Sequence, residues 1–532
     1  MPLQHLLVIY LIGILLVFLP SFGLAKLFTK AGEQSWKAYV PFYNTWVMQD
    51  IAQRPKHWVF WQFIPVVGWF ITPGIFIEFT KVFGKFSLGH HTLAALLAPF
   101  YFPWLAAQKD TKFIGAEAAR KHKKGTGREW VDAAIFAIVA ATLIRTFIFE
   151  AYTIPSGSME KTLLIRDFLF VSKLSYGPRI PNTPLSVPFV HNYLPITNGK
   201  SYSTAIQLPY TRWFATMPKR GDVVVFNFPA GDTVIHASGF ESAIPYYDIK
   251  RKHAWGPPYN QISYTNPNDP EGPPITVSTG EILNDPENYP VVVHPVDKTD
   301  NYIKRCVGVA GDTIEIKDDV VYIDGVAQKV PPHSEIYYTV TINNATTLDA
   351  EVMKDEYNLD VEKREYMLTG RPGEYSMLLT AEAKDKMQKN GLIKTIVPNV
   401  DQPGTERIFP YDTFAVHRNW TKDNFGPVWI PKKGATLKLT AENYSIYERA
   451  IRVYEENEFY TQGGKFFLNG KEANEYTFKM DYFWMMGDNR QGSQDSRYWG
   501  FVPEDRIVGK AWMIWFSWEG GPRWKRLFNI VK

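Results

Sequence analysis

The first 150 residues contain two apolar segments that are each long enough to cross a lipid bilayer. Residues 5–25 carry no Asp, Glu, Lys or Arg, and residues 130–149 carry only Asp132 and Arg145, near their two ends. Lipid offers the backbone no hydrogen-bond partners, so apolar segments of about 20 residues cross it as α-helices. The sequence therefore predicts a membrane-spanning helical region at the start of the chain.

Two further apolar segments lie between these spans, at residues 58–80 and 92–107. Both are rich in Trp and Phe, and both contain proline, at Pro65 and Pro73 in the first and at Pro99 and Pro103 in the second. Proline interrupts helical hydrogen bonding, and the second segment is shorter than the roughly 20 residues of a full span. We predict that both segments cross the membrane, with a re-entrant or interfacial pair of helices as the alternative.

The basic residues between the spans predict the orientation of the chain. Residues 1–4 contain no Lys or Arg, whereas residues 26–57 contain five and residues 108–129 contain seven. Loops rich in Lys and Arg tend to remain on the cytoplasmic side of a membrane. The residues after 150 are therefore predicted to lie outside. This side does not change if residues 58–107 fail to cross, because they contribute an even number of crossings.

The first apolar segment has a removable signal peptide as its alternative interpretation, because Gly23-Leu24-Ala25 has the small-x-small pattern of a cleavage site. A signal peptide carries its positive charges before the apolar run, whereas here Lys26 follows it. We interpret residues 1–25 as a retained anchor.

Beyond residue 150 the sequence changes to short runs of β-branched and aromatic residues divided by Gly, Pro, Asn and Asp. Such runs are typical of β-strands. The run at residues 320–323 ends in Asp324-Gly325, a pair that favours a tight hairpin turn. Further strands are predicted at residues 168–171, 223–226 and 313–316, and a short helix is predicted at residues 381–390.

The overall composition excludes several classes of site. A net charge of +4, from 58 basic and 54 acidic residues, is too small to indicate nucleic-acid binding. The single cysteine, Cys306, rules out an intrachain disulfide and a cysteine-based zinc site. We therefore predict no metal, no other cofactor and no nucleic-acid partner.

A serine with small neighbours follows the last predicted span, in the run Ile154-Pro155-Ser156-Gly157-Ser158-Met159. A serine hydroxyl becomes a nucleophile only when a base removes its proton. Histidine is the usual base, but no histidine beyond residue 150 has an accompanying aspartate motif. A Ser-His-Asp site stays open as an alternative, although no motif indicates one.

Lysine can act as the base if its ammonium group loses its proton near neutral pH. Lowering its pKa from about 10.4 to about 7–8 requires burial among apolar groups. Lys304 lies in the run Tyr302-Ile303-Lys304-Arg305-Cys306, and strand alternation would give it apolar neighbours. An exposed position is the commoner one for a lysine on a lone strand, and the neighbouring motifs favour the buried alternative.

A third motif, Gly487-Asp488-Asn489-Arg490, is followed by further Ser, Asp and Arg residues up to residue 497. The three motifs together resemble those of the bacterial type I signal peptidases, which are membrane-bound Ser/Lys endopeptidases of the leader peptidase family. Residues 220–226 and 308–312 are similar to two further motifs of that family. The resemblance with specific motifs covers residues 150–178, 218–229, 300–325 and 482–512.

The resemblance implies a role for four polar residues. Ser158 is expected to be the nucleophile and Lys304 the general base. Ser156 is expected to contribute its side chain to the oxyanion hole, beside the backbone N–H of Ser158. Ser493 is expected to orient the lysine amine through its hydroxyl, as Asp orients a histidine base.

The resemblance also implies supporting and substrate-binding positions. Ion pairs within the third motif, with Arg305 as a partner, are expected to support the site. The supporting residues are Arg305, Asp488, Arg490, Asp495 and Arg497. Family positions that line shallow apolar pockets, which accept small residues such as Ala, are matched by Tyr152, Ile154, Pro155, Met159, Leu163, Leu169, Tyr302 and Ile303.

The sequence departs from the family at three nearby positions. The family often has Pro where Lys161 stands, and acidic residues or Asn where Gln491 and Gly492 stand. None of the three is expected to be catalytic, so the departures predict a different local loop geometry and not a loss of activity.

The expected architecture is a set of N-terminal transmembrane α-helices followed by a mainly β ectodomain with a catalytic β-core and a large inserted β-rich lobe. Residues 177–215 and 229–298 are predicted to be long loops with a few strands. The predicted domains are a membrane region (residues 1–129), a transmembrane anchor (130–149), a catalytic β domain (150–331 with 481–520) and an inserted second lobe (332–480).

We therefore expect an endopeptidase that removes N-terminal signal peptides from exported preproteins, cutting after small residues in an Ala-x-Ala-like pattern. Its expected place is the bacterial cytoplasmic (inner) membrane, crossed several times, with the catalytic domain on the periplasmic or extracytoplasmic side. The expected partners are signal-peptide-bearing preproteins and the phospholipid membrane, with the secretion translocon as a further candidate. The alternatives are a non-catalytic receptor for exported chains and a Ser/Lys protease that cuts itself or a regulator.

Overall fold

The chain folds into two compact units in the computed structural model. The model describes residues 3–64, 67–123, 125–197, 199–240, 242, 244–265, 269, 272–343, 348–412, 414 and 416–532. The first unit comprises residues 1–148 and 178–213, and the second comprises residues 149–177 and 214–532. The predicted catalytic segment 150–331 therefore contains a stretch, residues 178–213, that belongs to the first unit. The reason is apolar packing, because Ile180, Leu208 and Trp213 contact Phe147.

The first unit is helical. Its buried core contains Leu24, Phe28, Phe79, Phe102 and Leu105, which come from three helices and pack against one another. Aromatic rings meet edge to face there, as Phe28 and Phe79 do with ring centroids 5.6 Å apart. The α-helices of this unit are Leu3–Phe18, Ser21–Lys30, Tyr43–Ile51, Trp58–Trp61, Val67–Lys81, Leu88–Leu96, Ala98–Ala107, Gly115–Lys121 and Thr126–Phe147.

Among the described residues, Thr126–Phe147 is the one helix long and apolar enough to cross a bilayer, with a mean hydropathy of 1.7. The helices Tyr10–Phe18 and Ser21–Lys30, which are bent by 46° at the break between them, provide a second candidate span if they are counted as one. The predicted spans 130–149 and 5–25 lie on these helices. The predicted spans 58–80 and 92–107 each contain shorter helices instead, and residues 65 and 66 lie outside the described residues.

The second unit is built around an eight-stranded sheet, the main sheet. Neighbouring strands are antiparallel throughout. Val223–Asn227 is buried along its whole length, which its run of β-branched residues favours. In spatial order the strands are Phe149–Thr153, Asp167–Ser172, Ile507–Ser517, Val223–Asn227, Asn301–Gly308, Tyr482–Met486 and Val502–Pro503, with Asn529–Ile530 paired to Ile507–Ser517.

A second, four-stranded sheet packs against one end of this fold. Its strands are, in order, Val326–Ala327, Val320–Ile323, Thr313–Lys317 and Phe425–Trp429. The helix Ala441–Arg449, which continues as a π-helical turn at Ala450–Tyr454, closes a core around Trp484. Residues 408–482 therefore share one core with the predicted catalytic strands.

Residues 335–398 form a separate lobe, named here the 335–398 lobe. Its strands are, in spatial order, Tyr366–Leu368, Glu374–Thr380, Glu335–Ile342 and Ile393–Pro398, and its helices are Ala350–Tyr357 and Ala381–Lys389. It has its own core, which includes Val340, Met377 and Met387. The stretch 332–480, predicted as one inserted lobe, thus divides into this lobe and a part that packs on the second sheet.

Several local predictions are confirmed. Strands occupy residues 168–171, 223–226 and 313–316, and the hairpin at Asp324-Gly325 joins Val320–Ile323 to Val326–Ala327. The helix predicted at 381–390 is Ala381–Lys389. The other strands of this unit are Thr233–Ile235 with Val291–Val293, Gln261–Tyr264 with Ile275–Ser278, Thr436–Lys438 with Glu475–Thr477, and Phe459–Gln462 with Lys465–Leu468 and Lys471–Glu472.

Besides the one-turn helix Ser496–Trp499, the sequence-based prediction missed four short helices in this unit. They lack a long apolar repeat, and side-chain caps start three of them. Ser278 accepts from the N–H of Gly280, Asp349 accepts from the N–H groups of Glu351 and Val352, and Thr440 accepts from the N–H of Asn443. The missed helices are Tyr246–Trp255, Thr279–Asn284, Ala350–Tyr357 and Ala441–Arg449.

Candidate active site

Lys304 lies on an internal strand of the main sheet, Asn301–Gly308, named here the Lys304 strand. It pairs with Val223–Asn227 on one side, where Val224 faces Lys304, and with Tyr482–Met486 on the other. Because side chains alternate along a strand, Lys304 is on the same face as Tyr302 and Cys306, which pack in an apolar cluster. The side chain is only 4% exposed. The prediction of a buried lysine among apolar neighbours is confirmed.

Ser158 lies on a short 3₁₀ turn, Gly157–Met159, named here the Ser158 turn. The turn follows the edge strand Phe149–Thr153, and Met159 anchors it by packing into the apolar core. Asn489 holds it from the other side, since its backbone N–H donates to the carbonyl of Ser158 at 3.2 Å and its side-chain amide donates to the carbonyl of Gly157 at 3.2 Å. The turn is therefore fixed by backbone contacts on both sides of Ser158.

The structure brings Ser158 and Lys304 into direct contact. Lys304 Nζ donates a hydrogen bond to Ser158 Oγ at 2.6 Å, between residues 146 positions apart in the chain. Burial lowers the pKa of Lys304 to about 8, against an opposing effect of Asp495 and Asp488. An uncharged amine at this distance can accept the serine proton through the same contact with donor and acceptor exchanged. Ser158 and Lys304 thus have the geometry of a nucleophile and its base, and the pKa of Lys304 suits that role.

Ser156 and Ser493, the two other predicted serines, occupy different environments. Ser156 is exposed, with an extended backbone (φ −133°, ψ 157°), two residues before Ser158. Ser493 is buried, and its hydroxyl forms no hydrogen bond to any residue that the structure describes. The predicted bond from Ser493 to the amine of Lys304 is therefore not among the hydrogen bonds of the described residues.

Gly487 explains why Ser493 is nevertheless close to the pair. A Cβ atom placed on Gly487 would overlap the hydroxyl of Ser493 and would lie 2.5 Å from the carbonyl oxygen of Ser158. Only a residue without a side chain fits between the two serines. Gly487 therefore allows both Ser493 and the Ser158 turn to approach the position that a Cβ atom would occupy.

Arg305 and Asp488 form a buried, two-pronged ion pair next to the Ser–Lys pair. Arg305 Nε and Nη2 donate to the two carboxylate oxygens of Asp488 at 2.8 and 2.6 Å, and Thr162 Oγ1 donates to the same carboxylate at 2.6 Å. Burial raises the pKa of Asp488, but Arg305 outweighs it and the net pKa is below the usual value. The carboxylate is therefore ionised and joins the Lys304 strand to residues 487–497, named here the Asp488 loop.

Asp495 and Arg497 form a second buried ion pair within the Asp488 loop. Arg497 Nε and Nη2 donate to Asp495 at 2.8 Å each, and the backbone N–H of Gly487 donates to Asp495 Oδ2 at 3.0 Å. Arg497 also donates to the carbonyl of Arg490 at 2.5 Å. The guanidinium of Arg490 itself makes no ion pair with the described residues, so Arg490 supports the loop through its backbone.

Six of the eight predicted substrate-binding residues meet in one apolar cluster. The cluster also contains Val508 and Ile514 from the neighbouring strand of the main sheet. Pro155 is exposed beside it, whereas Tyr302 lies on the other face of the sheet, where it stacks on Phe228 with ring centroids 4.2 Å apart. The six residues are Tyr152, Ile154, Met159, Leu163, Leu169 and Ile303.

Sequence reasoning missed Glu335, a fully buried residue that contacts the Asp488 loop. Its backbone N–H donates to the carbonyl of Asp488 at 2.8 Å, and its carbonyl accepts from the N–H of Arg490 at 3.1 Å. Its carboxylate oxygens accept no hydrogen bond within the described part of the chain, and burial raises its pKa to about 8. Glu335 is more than 150 residues away from the Asp488 motif in sequence, and no local pattern marks it.

Within the described ranges, no group of three or more His, Cys, Asp and Glu side chains lies close enough together to hold a metal ion.

Comparison with known proteins places these features in a family. The sequence profile of the signal peptidase family, peptidase S26, matches residues 127–377 and 433–518, more than half of the chain. A second profile, of a family of unknown function, matches residues 36–116. The chain is similar to the signal peptidase I of Buchnera aphidicola subsp. Schizaphis graminum, with 25% identity over 73% of this chain and 77% of that protein.

Two further relatives have the same name. The signal peptidase I of Haemophilus influenzae is 24% identical over 80% of this chain and 82% of its own length. That of Rickettsia canadensis is 22% identical over 74% of this chain and 81% of its own length. With a Ser–Lys pair on an antiparallel sheet and a family profile that spans most of that sheet, the chain belongs to the signal peptidase family, peptidase S26.

Proposed function

We propose that this protein is the type I signal peptidase of its cell, a serine endopeptidase that removes N-terminal signal peptides from exported preproteins. The observation that carries the proposal is the 2.6 Å contact between Lys304 Nζ and Ser158 Oγ. It supports an acyl-transfer reaction in which a lysine takes the place of histidine as the base.

The proposed reaction has two halves. In the first, the uncharged amine of Lys304 takes the proton of Ser158, and Ser158 Oγ attacks the scissile carbonyl carbon. The tetrahedral intermediate collapses when the lysine ammonium gives its proton to the leaving amine, and the signal peptide stays bound to Ser158 as an ester. In the second half, Lys304 takes a proton from water, the hydroxide attacks the ester, and Ser158 regains its proton as the signal peptide leaves.

The negative charge on the carbonyl oxygen needs hydrogen-bond donors. We assign this role to the backbone N–H of Ser158 and the hydroxyl of Ser156. The exposed position of Ser156, two residues before the nucleophile, supports the assignment. Each such donor contributes about 2.7–4 kcal/mol to the stabilisation of the transition state.

The apolar cluster around Tyr152, Ile154 and Ile303 is proposed to receive the residues before the cut. Membership of the signal peptidase family implies that the pockets between these side chains are shallow, which favours the Ala-x-Ala-like pattern. The edge position of Phe149–Thr153 in the main sheet supports binding of the substrate as an added strand.

The membrane arrangement is part of the proposal. We assign residues 1–129 to a membrane region that crosses several times and residues 130–149 to an anchor, with the catalytic domain on the extracytoplasmic side of the cytoplasmic membrane. The apolar helix Thr126–Phe147 and the seven basic residues at 108–129 support this orientation. The bilayer is then one partner, and the secretion translocon, which delivers the preproteins, is the second.

The test is the cleavage of one purified preprotein in detergent by the wild-type protein and by Ser158→Ala, with the product ends identified by mass spectrometry. We expect the wild-type protein to cut once, after a small residue at the end of the signal peptide, and Ser158→Ala to leave the preprotein intact. Ser263→Ala, an exposed serine of the same unit, is the matched control and should cut normally. Cleavage by Ser158→Ala would reject the assigned nucleophile, and binding without cleavage by the wild-type protein would favour the receptor alternative.

A further inference from the structure

The residues that follow Ser158 are held by side chains from the 335–398 lobe. Lys161, three positions after Ser158, has a left-handed backbone (φ 64°). The side chain is 7% exposed. A lysine in this position is buried only where its charge is neutralised.

The neutralising partners of Lys161 come from one segment, residues 358–365. Lys161 Nζ donates to Glu365 Oε1 at 2.6 Å and to the carbonyl of Asn358 at 2.8 Å. Glu365 is fixed in turn, because its other oxygen accepts from the backbone N–H of Asp360 at 2.7 Å. The carboxylate of Glu335 lies 3.9 Å from the same amine. The contact is therefore a buried, directional link and not a flexible surface pair.

The start of the same lobe, together with the preceding Ser334, also contacts the Asp488 loop, which holds the Ser158 turn. Ser334 Oγ and the backbone N–H of Glu335 both donate to the carbonyl of Asp488, at 3.0 and 2.8 Å. The next residue of that loop, Asn489, carries the two hydrogen bonds to the Ser158 turn. The lobe is thus linked to the Ser158 turn in two ways. It binds Lys161, three residues beyond Ser158, and it also binds the Asp488 loop, which contacts the turn.

We propose that Lys161 is a positioning residue for the hydrolysis, which fixes Ser158 Oγ against Lys304 by joining the Ser158 turn to the 335–398 lobe. A displacement of about 1 Å in a reacting group can lower a rate by about a hundredfold. The Ser158 turn is only three residues long, so a link three residues beyond the nucleophile limits its movement. The lobe then serves the reaction without touching the substrate.

The inference rests on the proposed function, and steady-state kinetics on the preprotein test it. Lys161→Met keeps the length of the side chain and removes its charge, and Glu365→Gln removes the charge of its partner. We expect each to lower kcat by about 10- to 100-fold while KM stays within about twofold, because substrate contacts are unchanged. Lys161→Arg, which can still pair with Glu365, should restore kcat to within about threefold of the wild-type value.

The double variant Lys161→Met/Glu365→Gln separates a shared link from two independent effects. If the two residues act as one unit, the kcat of the double variant is no lower than that of the less active single variant. Lys389→Met is the matched control, since Lys389 is exposed at the end of the helix Ala381–Lys389 in the same lobe, and it should leave kcat unchanged.

Each outcome has one meaning. Unchanged kcat in folded Lys161→Met and Glu365→Gln, with a lowered Tm alone, overturns the positioning role and leaves a purely structural link. Additive losses in the double variant, or no rescue by Lys161→Arg, also overturn it. If Lys161→Met does not fold, Glu365→Gln decides, and an inactive wild-type protein would instead reject the proposed function.

Discussion

Arg305 and Asp488 are joined by two parallel hydrogen bonds, of 2.8 and 2.6 Å, with both side chains buried. Arg305 directly follows Lys304 in the chain, and Asp488 directly follows Gly487, the residue packed against Ser158. The pair therefore ties the strand that carries the base to the loop that holds the nucleophile. A planar guanidinium fixes both distance and angle in such a pair, which a lysine in its place would not.

Asp488→Ala is expected to destabilise the protein strongly, because it leaves the charge of Arg305 buried without a partner. Breaking a buried pair in this way lowers the free energy of unfolding by about 3–5 kcal/mol. Urea unfolding followed by tryptophan fluorescence measures the difference. Glu315→Gln, which removes an exposed pair with Lys317, is the control and should change stability by less than about 1 kcal/mol. A loss no larger than that of the control would contradict a structural role for the pair.

The cleavage rate is expected to rise with pH and to level off above the pKa of Lys304. Burial lowers this pKa to about 8, so that the amine is mostly protonated, and inactive as a base, at lower pH. Below pH 8, kcat/KM should fall about tenfold for each pH unit. The measurement is kcat/KM on a peptide without titrating groups between pH 6 and 10. A rate that stays constant down to pH 6 would exclude a lysine base.

Glu335→Gln is expected to stabilise the protein at alkaline pH and to have little effect in acid. The folded pKa of Glu335, about 8, lies above the unfolded value of 4.5, so its favourable contribution is complete below pH 4.5 and is lost as the pH rises through 8. At pH 9 the ionised carboxylate is buried, and the variant should be more stable by at most about 5 kcal/mol. Unfolding in urea at pH 5 and pH 9 measures both values. Glu362→Gln, at an exposed position of the same lobe, should show no such difference between the two pH values.

Gly487→Ala is expected to lower kcat by about a hundredfold in a protein that still folds. The added Cβ would lie 2.5 Å from the carbonyl oxygen of Ser158, so the Ser158 turn must move away from Lys304. Gly521→Ala, at a position with open space around it, is the control for the substitution itself. Kinetics and thermal unfolding of the two variants provide the comparison, and a wild-type kcat in Gly487→Ala would show that the turn tolerates the shift.

Several strands of the second unit were predictable because their signals are local. The apolar run at residues 223–226 and the Asp324-Gly325 turn each specify their own backbone conformation. The meeting of Ser158 with Lys304 was predictable only from the family motifs, since spacing along the chain does not determine which of many residues meet across a sheet.

The remaining features depend on contacts between distant segments, which local sequence does not encode. Residues 178–213 belong to the first unit because of apolar packing with Phe147. Phe425–Trp429 joins a sheet whose other strands precede it by about a hundred residues. Part of the stretch 332–480 therefore packs with that sheet and not with the 335–398 lobe. The link from Lys161 to Glu365 and the burial of Glu335 likewise require the folded lobe. The hydroxyl of Ser493 makes no hydrogen bond to the described residues, and its direction depends on atoms that a motif does not contain.

The place of Lys304 in the main sheet has a consequence for how the enzyme fails on heating. Its strand has a hydrogen-bonded neighbour along both edges, so that it separates only when the whole sheet unfolds. A three-residue turn requires a much smaller free energy to open. The reaction centre therefore joins a strand held along both edges to a three-residue turn whose backbone is held by Asn489. On warming, activity should therefore be lost first, because Ser158 moves out of place while the rest of the protein is still folded.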